Sequence, residues 1–117
     1  MIEFIGYDRT FESIIMICEC CPNLTSVSFR GNFGETADFV VQCLTLACPL
    51  LEKLYLGDVK EITDLSLTHI SGLSHLYELD LSSIYNLTSI DLCTFIQSKP
   101  NLQVFYAAFK MIPSMMS

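Results

Sequence analysis

The sequence is short of positive charge: six lysines and arginines stand against thirteen aspartates and glutamates, for a formal net charge of -7. A field of that sign repels nucleic acid and anionic membrane surfaces, so neither is expected as a partner, whereas a neutral or basic protein is. Long apolar runs are missing as well. Runs such as Ile14 to Cys18 and Phe39 to Val41 fall far short of the roughly 20 residues needed to cross a bilayer. Glu3, with no lysine or arginine before Arg9, does not read as part of a signal peptide. The chain is therefore expected to be soluble and cytoplasmic or nuclear. No glycine- or serine-rich tract interrupts the 117 residues, and their 51% apolar content argues for one small ordered domain.

Signatures of catalysis are absent too. There is no glycine-rich phosphate loop, no G-x-S-x-G and no H-E-x-x-H. Cys93 could be named a nucleophile with His69 or His75 as its base, but nothing in their spacing orients one toward the other. No enzyme activity and no cofactor are expected. Six cysteines could suggest a disulfide framework or a metal site. Without a secretion signal they are expected to be reduced thiols. Cys18, Cys20 and Cys21 lack a fourth ligand nearby, because both histidines lie far along the chain.

What is present is a repeat. Leu24-x-x-Val27-x-Phe29, Leu51-x-x-Leu54-x-Leu56, Leu76-x-x-Leu79-x-Leu81 and Leu102-x-x-Phe105-x-Ala107 recur every 25 to 27 residues, and Ile2-x-Phe4 is a truncated copy. Self-similarity at this period marks a stack of supersecondary units, each of which buries its apolar face only against its neighbours. The units divide as a partial repeat over 1–20, full repeats over 21–47, 48–72 and 73–98, and a partial one over 99–117. The open ends suggest a fragment of a longer array, or one whose ends meet another subunit by self-association.

The unit from Cys48 to Gly72 shows the internal order. Pro49 can stop a preceding helix, and Leu51-Glu-Lys-Leu54-Tyr-Leu56 alternates as a half-buried strand does. Gly57-Asp58 signals a turn, and Val59 and Ile62 refill the core. Thr63 or Asp64 can then cap a helix with an apolar stripe of Leu65, Leu67, Ile70 and Leu73. Thr36 or Asp38 can cap the equivalent helix one repeat earlier, and Leu87 and Ile90 lead into Leu92, Phe95 and Ile96 one repeat later. The first helix, Phe11 to Glu19, is apolar around so much of its circumference that something is expected to cover it. Cys21 and Cys48 stand three residues before their leucines, where Leu73 and Lys99 occupy the equivalent places. That slot is expected to take a small or apolar group, with cysteine serving as a buried hydrophobe.

The segment Cys48-Pro49-x-Leu51-x-x-Leu54-x-Leu56-x-x-Val59-x-x-Ile62-Thr63-Asp64 resembles the cysteine-containing leucine-rich repeat, and Cys21-Pro22-Asn23-Leu24 and Lys99-Pro100-Asn101-Leu102 look like the opening of the same unit. The resemblance covers nearly the whole chain. It implies an α/β right-handed horseshoe solenoid of the ribonuclease-inhibitor-like type, with parallel strands on the concave face and helices on the convex face. It also implies a non-catalytic protein-interaction module, like the F-box and leucine-rich-repeat substrate adaptors of SCF ubiquitin ligases, joined to SCF subunits through segments outside this chain. Two departures stand out: Val59 and Ile84 replace the mid-repeat cysteine, and no F-box segment precedes the repeats.

Stacked about 4.8 Å apart, the strands align their outward residues in rows. One row runs Ser26, Lys53, Glu78, Val104; the middle row runs Glu3, Ser28, Tyr55, Asp80, Tyr106; the last runs Ile5, Arg30, Gly57, Ser82, Ala108. The expected protein-binding residues are Ser28, Arg30, Lys53, Tyr55, Glu78, Asp80 and Tyr106, with Tyr55 and Tyr106 as rigid anchors flanking Asp80. A plainer account is that the tyrosines merely cover strand surface and that Lys53 pairs with Glu78 for under about 1 kcal/mol. Some fifteen outward residues also fall below the roughly 20 to 30 per side of a standard interface, so this piece alone is expected to bind weakly. An extracellular recognition module is a further alternative, raised by the glycosylation sequons Asn23-Leu-Thr25 and Asn86-Leu-Thr88. Asparagine at a tight turn explains Asn23 without a glycan.

Overall fold

The computed structural model describes residues 2–6, 10–31, 33–57, 59–82, 84 and 86–107, with the backbone alone at 4–6, 10 and 11. Five strands alternate with four α-helices: Ile2–Gly6 (β1), Thr10–Cys20 (α1), Ser26–Gly31 (β2), Ala37–Ala47 (α2), Lys53–Tyr55 (β3), Asp64–Ile70 (α3), Glu78–Leu81 (β4), Ser89–Ser98 (α4) and Val104–Ala107 (β5). A 3-10 turn, Gly34–Thr36, leads into α2. All four strand pairings are parallel, and the sheet order follows chain order from β1 to β5. A parallel neighbour can be reached only by a crossover of a dozen or more residues, which is why a helix stands between each strand and the next. The helices pack in the same order, α1 on α2, α2 on α3 and α3 on α4. The chain is thus an α/β structure with one five-stranded parallel sheet.

The leucine register of the sequence is the register of the sheet. Ile2, Val27, Leu54, Leu79 and Phe105 stand opposite one another across the five strands. Val27, Leu54 and Leu79 are fully buried and pack in one cluster with Val40, Val41 and Leu44 of α2, Leu67 and Ile70 of α3, and Leu92 and Phe95 of α4. The residue before β2, β3 and β4 repeats a backbone device. The carbonyls of Thr25, Glu52 and Tyr77 each accept two N–H bonds from the next repeat, one from the residue before its strand and one from the strand's first residue, at 2.7 and 3.0 Å, 2.9 and 3.1 Å, and 2.8 and 3.0 Å. Ahead of them the amides of Leu24, Leu51, Leu76 and Leu102 close equivalent turns onto the carbonyls of Cys21, Cys48, Leu73 and Lys99.

Several expectations about the helices need correction. Leu65 does not join the core stripe of α3: it is 64% exposed, and Ser66 is fully buried in its place. The cause is Asp38, whose Oδ1 accepts the Ser66 hydroxyl at 2.6 Å and so draws that side chain inward. Ile90 is exposed as well. Together with Phe39 and Leu65 it forms a row of exposed apolar residues at the start of α2, α3 and α4. On α1, Ile14 and Cys18 are buried while Met16 and Ile17 face outward. The cap of α3 is Thr63, whose hydroxyl accepts the Leu65 N–H, and Thr88 caps α4 through the Asp91 N–H. Thr36 precedes α2 without a side-chain cap, and its hydroxyl donates to the Phe33 carbonyl instead.

The cysteine slot also behaves differently from a plain apolar position. Cys48 Sγ lies 3.4 Å from the Cys21 carbonyl and 3.6 Å from the Cys18 carbonyl, both at the end of α1. Two equivalent positions later in the array, Lys99 is only 7% exposed and its ammonium donates to the carbonyls of Leu73 and Ser71 beyond the end of α3. Both side chains bring a further donor to carbonyls at or just beyond a helix end, where the regular helix bonds run out. Leu73 fills the slot between them with no donor at all, so the position selects by shape and tolerates polarity when carbonyls are in reach.

Helix starts are linked from repeat to repeat by aspartate. Asp38 on α2 accepts the Thr63 amide at 3.0 Å and its hydroxyl at 2.6 Å, in addition to Ser66. Asp64 on α3 accepts the Thr88 amide at 3.2 Å. Burial alone would raise the Asp38 pKa, but the bonds from Ser66 and Thr63 outweigh it and hold the carboxyl below its ordinary value. Asp64 is pushed the other way, by burial first and then by Asp91, despite the bond from Thr88. Replacing Asp38 with alanine leaves the Ser66 hydroxyl and the Thr63 amide without their acceptor, at an expected cost of about 1–3 kcal/mol in urea denaturation at neutral pH. Asp38 adds stability above the ordinary carboxylate range and loses it as pH falls through its lowered folded-state pKa, so the gap to Asp38→Ala narrows in acid. Asp64→Asn keeps an oxygen for Thr88 and removes the repulsion with Asp91; it is expected to be neutral or stabilising in the same measurement.

Candidate functional site

Alternation along the strands sorts their side chains between two faces. Val27, Phe29, Leu54, Leu79 and Leu81 go to the helices, while Ser28, Tyr55 and Asp80 stand half-buried on the open face and Tyr106 is 53% exposed. Pairing places Glu3, Ser28, Tyr55, Asp80 and Tyr106 directly opposite one another, and Ser26, Lys53, Glu78 and Val104 form a second row. The third expected row is only partly formed. Arg30 pairs with Ile5 at backbone level, β3 ends before Gly57 and β4 before Ser82, and Ala108 lies outside the described residues.

Polar contacts on this face run diagonally. The Tyr55 hydroxyl donates to Glu78 Oε2, one row over and one strand on. That bond, then burial, then the Glu78 charge push the Tyr55 pKa up to about 12, because a phenolate beside a carboxylate is disfavoured. Lys53 does not pair with Glu78; its ammonium stands 5.9 Å from the centre of the Tyr77 ring, within cation–π range. Arg30 Nη1 lies 3.8 Å from Glu3 Oε2 at the β1 side of the sheet. Tyr106 stands at the β5 edge, beyond Asp80.

Asp80 is placed by its surroundings. Its Oδ1 accepts the Ser82 N–H at 2.9 Å. Gly57, on the neighbouring segment, leaves the carboxylate room: a Cβ there would meet Asp80 Oδ1 and Oδ2 at 3.1 and 3.2 Å and Ser82 Oγ at 3.0 Å. A hollow of about 290 Å³ opens at this point, lined by Ser28, Arg30, Tyr55, Gly57, Asp80 and Ser82 among others. No described lysine, arginine or histidine forms an ion pair with Asp80.

A larger hollow of about 480 Å³ lies on the helical side between α3 and α4, with Leu67 and Phe95 among its lining and Asp64 and Asp91 together in its wall. Among the described residues no group of three or more His, Cys, Asp or Glu could hold a metal ion. The Cys18 thiol is pushed up to about 12 by burial first and then by Cys48, which keeps it protonated. Cys93 lies on α4, His69 on α3 and His75 in the turn before β4. The Asn86 amide donates to the Lys60 carbonyl at 2.8 Å, so this sequon residue ties one repeat to the one before. No described helix is long and apolar enough to cross a membrane.

No protein-family model matches the chain, and no curated protein matches it. The open sheet face therefore has to be read from its own chemistry. Tyr77, which holds Lys53, is a residue that sequence reasoning did not single out; Gly57, expected as a turn and row residue, proves also to be part of the Asp80 hollow. Removing the carboxylate in Glu78→Gln should return the Tyr55 phenol toward the ordinary tyrosine value near 10. Ultraviolet difference titration of the wild type and this variant measures it: the wild type should hold one tyrosine back, and the variant should release it.

Proposed function

We propose that the chain is a segment of a leucine-rich-repeat solenoid whose open sheet face is the concave side of an arc, and that this face binds a protein partner without catalysing a reaction. The observation that supports it best is the alignment of Ser28, Tyr55, Asp80 and Tyr106 across four parallel strands at the repeat period. The tyrosines of this row are rigid, amphipathic groups of the kind that protein interfaces favour, and Asp80 sets a charge between them. The finer assignment is the substrate-recognition part of an SCF-type ubiquitin ligase, acting in ubiquitin-dependent protein degradation in the cytoplasm or nucleus. It rests on the resemblance of the Cys48–Asp64 segment to the cysteine-containing repeat.

Both levels are open to test. Peptides selected against the chain from a displayed random library should bind roughly tenfold or more weakly when Tyr55, Asp80 and Tyr106 are all replaced by alanine. They should be unaffected by serine at Phe39, Leu65 and Ile90 on the helical side. The reverse pattern sinks the concave-face assignment. Affinity purification of the full gene product that recovers neither a cullin nor an SCF adaptor removes the ligase role while leaving the binding face intact.

A further inference from the structure

Charge on the open face is unevenly spent. Arg30 is drawn to Glu3 at the β1 side, and Lys53 sits over Tyr77. Glu78 accepts the Tyr55 hydroxyl, which tilts that ring toward the beginning of β4 and leaves the Asp80 side of the hollow open. Asp80 itself receives only the Ser82 N–H and forms no ion pair among the described residues. It stands between Tyr55 and Tyr106 in register.

We infer that the hollow at Asp80, Gly57 and Tyr55 is a pocket for one basic side chain, arginine or lysine, presented by the protein that binds the open face. The inference rests on the protein-binding proposal and adds the chemistry of the partner. Three features converge on it. The carboxylate has unused acceptor positions, since one backbone N–H occupies a single lone pair of the four that two oxygens offer. Gly57, having no Cβ, adds no side-chain atom of its own beside the two carboxylate oxygens. The net charge of -7 draws basic partners toward the molecule before contact. Arg30 also lines the hollow and opposes an incoming cation, which gives a control of known sign.

The test is an NMR titration of the full 117-residue chain with n-butylguanidinium chloride at low ionic strength, with sodium butyrate as the anionic control. Saturable shifts should centre on the amides of Gly57, Asp80 and Ser82 and on the Tyr55 ring, with butyrate producing none there. Asp80→Asn, which keeps an acceptor for the Ser82 amide, should weaken binding about fivefold or more, as should Gly57→Ala by crowding the carboxylate. Arg30→Gln should strengthen it about twofold. Shifts scattered over the acidic surface, no saturable shift, or binding undiminished in Asp80→Asn would overturn the pocket. Selected peptides that engage the open face yet contain no arginine or lysine would also overturn it while sparing the protein-binding proposal; peptides indifferent to the open-face triple variant would defeat that proposal instead.

Discussion

One backbone oxygen per repeat sets the whole arrangement. The carbonyls of Thr25, Glu52 and Tyr77 each take two amides at the start of the next repeat's strand, and this shared acceptor fixes where that strand begins. Slippage by one residue would exchange the two faces of a strand, sending Leu54 or Leu79 outward and Tyr55 or Asp80 into the apolar layer. Burial of the leucines and the doubled carbonyl therefore enforce the same register. Their agreement explains why a period visible in sequence becomes a straight ladder of opposed residues.

The polar links between helices are less uniform than the ladder, and their variety is informative. Asp38 gathers three donors and is held ionised, whereas Asp64 has a single cross-repeat donor and an acidic neighbour. The slot shared by Cys48 and Lys99 meets helix-end carbonyls with a thiol in one repeat and an ammonium in another. A buried ammonium costs desolvation, which is why the Lys99 pKa falls, and the two carbonyls offset part of that cost. Equivalent positions thus solve one geometric problem with unlike chemistry.

Much of this was legible in advance because the main signal was periodic. Alternation in Leu51–Leu56 and its copies gave the strands, the faces and the middle row of outward residues, and the intervening apolar residues gave the helices. What escaped was set by contacts between repeats, which no single window of sequence displays. Ser66 is buried and Leu65 exposed because of an aspartate 28 residues earlier. Lys99 is interior where the carbonyls that follow α3, one repeat earlier, receive its ammonium. On the open face the row was readable, but the diagonal choice of Tyr55 for Glu78 and of Lys53 for Tyr77 depends on side-chain reach and not on position in the repeat.

The separation of the two strand faces carries a consequence for how such a chain changes over time. Val27, Leu54 and Leu79 answer to the interior, while Ser28, Tyr55 and Asp80, each one residue further along, stand half-buried on the open face. Substitutions at the outer set leave the ladder's amides and carbonyls untouched, so that face can change its chemistry while the register is kept. Gly57 is the exception, because a larger residue there crowds Asp80, coupling the backbone's own course to the shape of the open face.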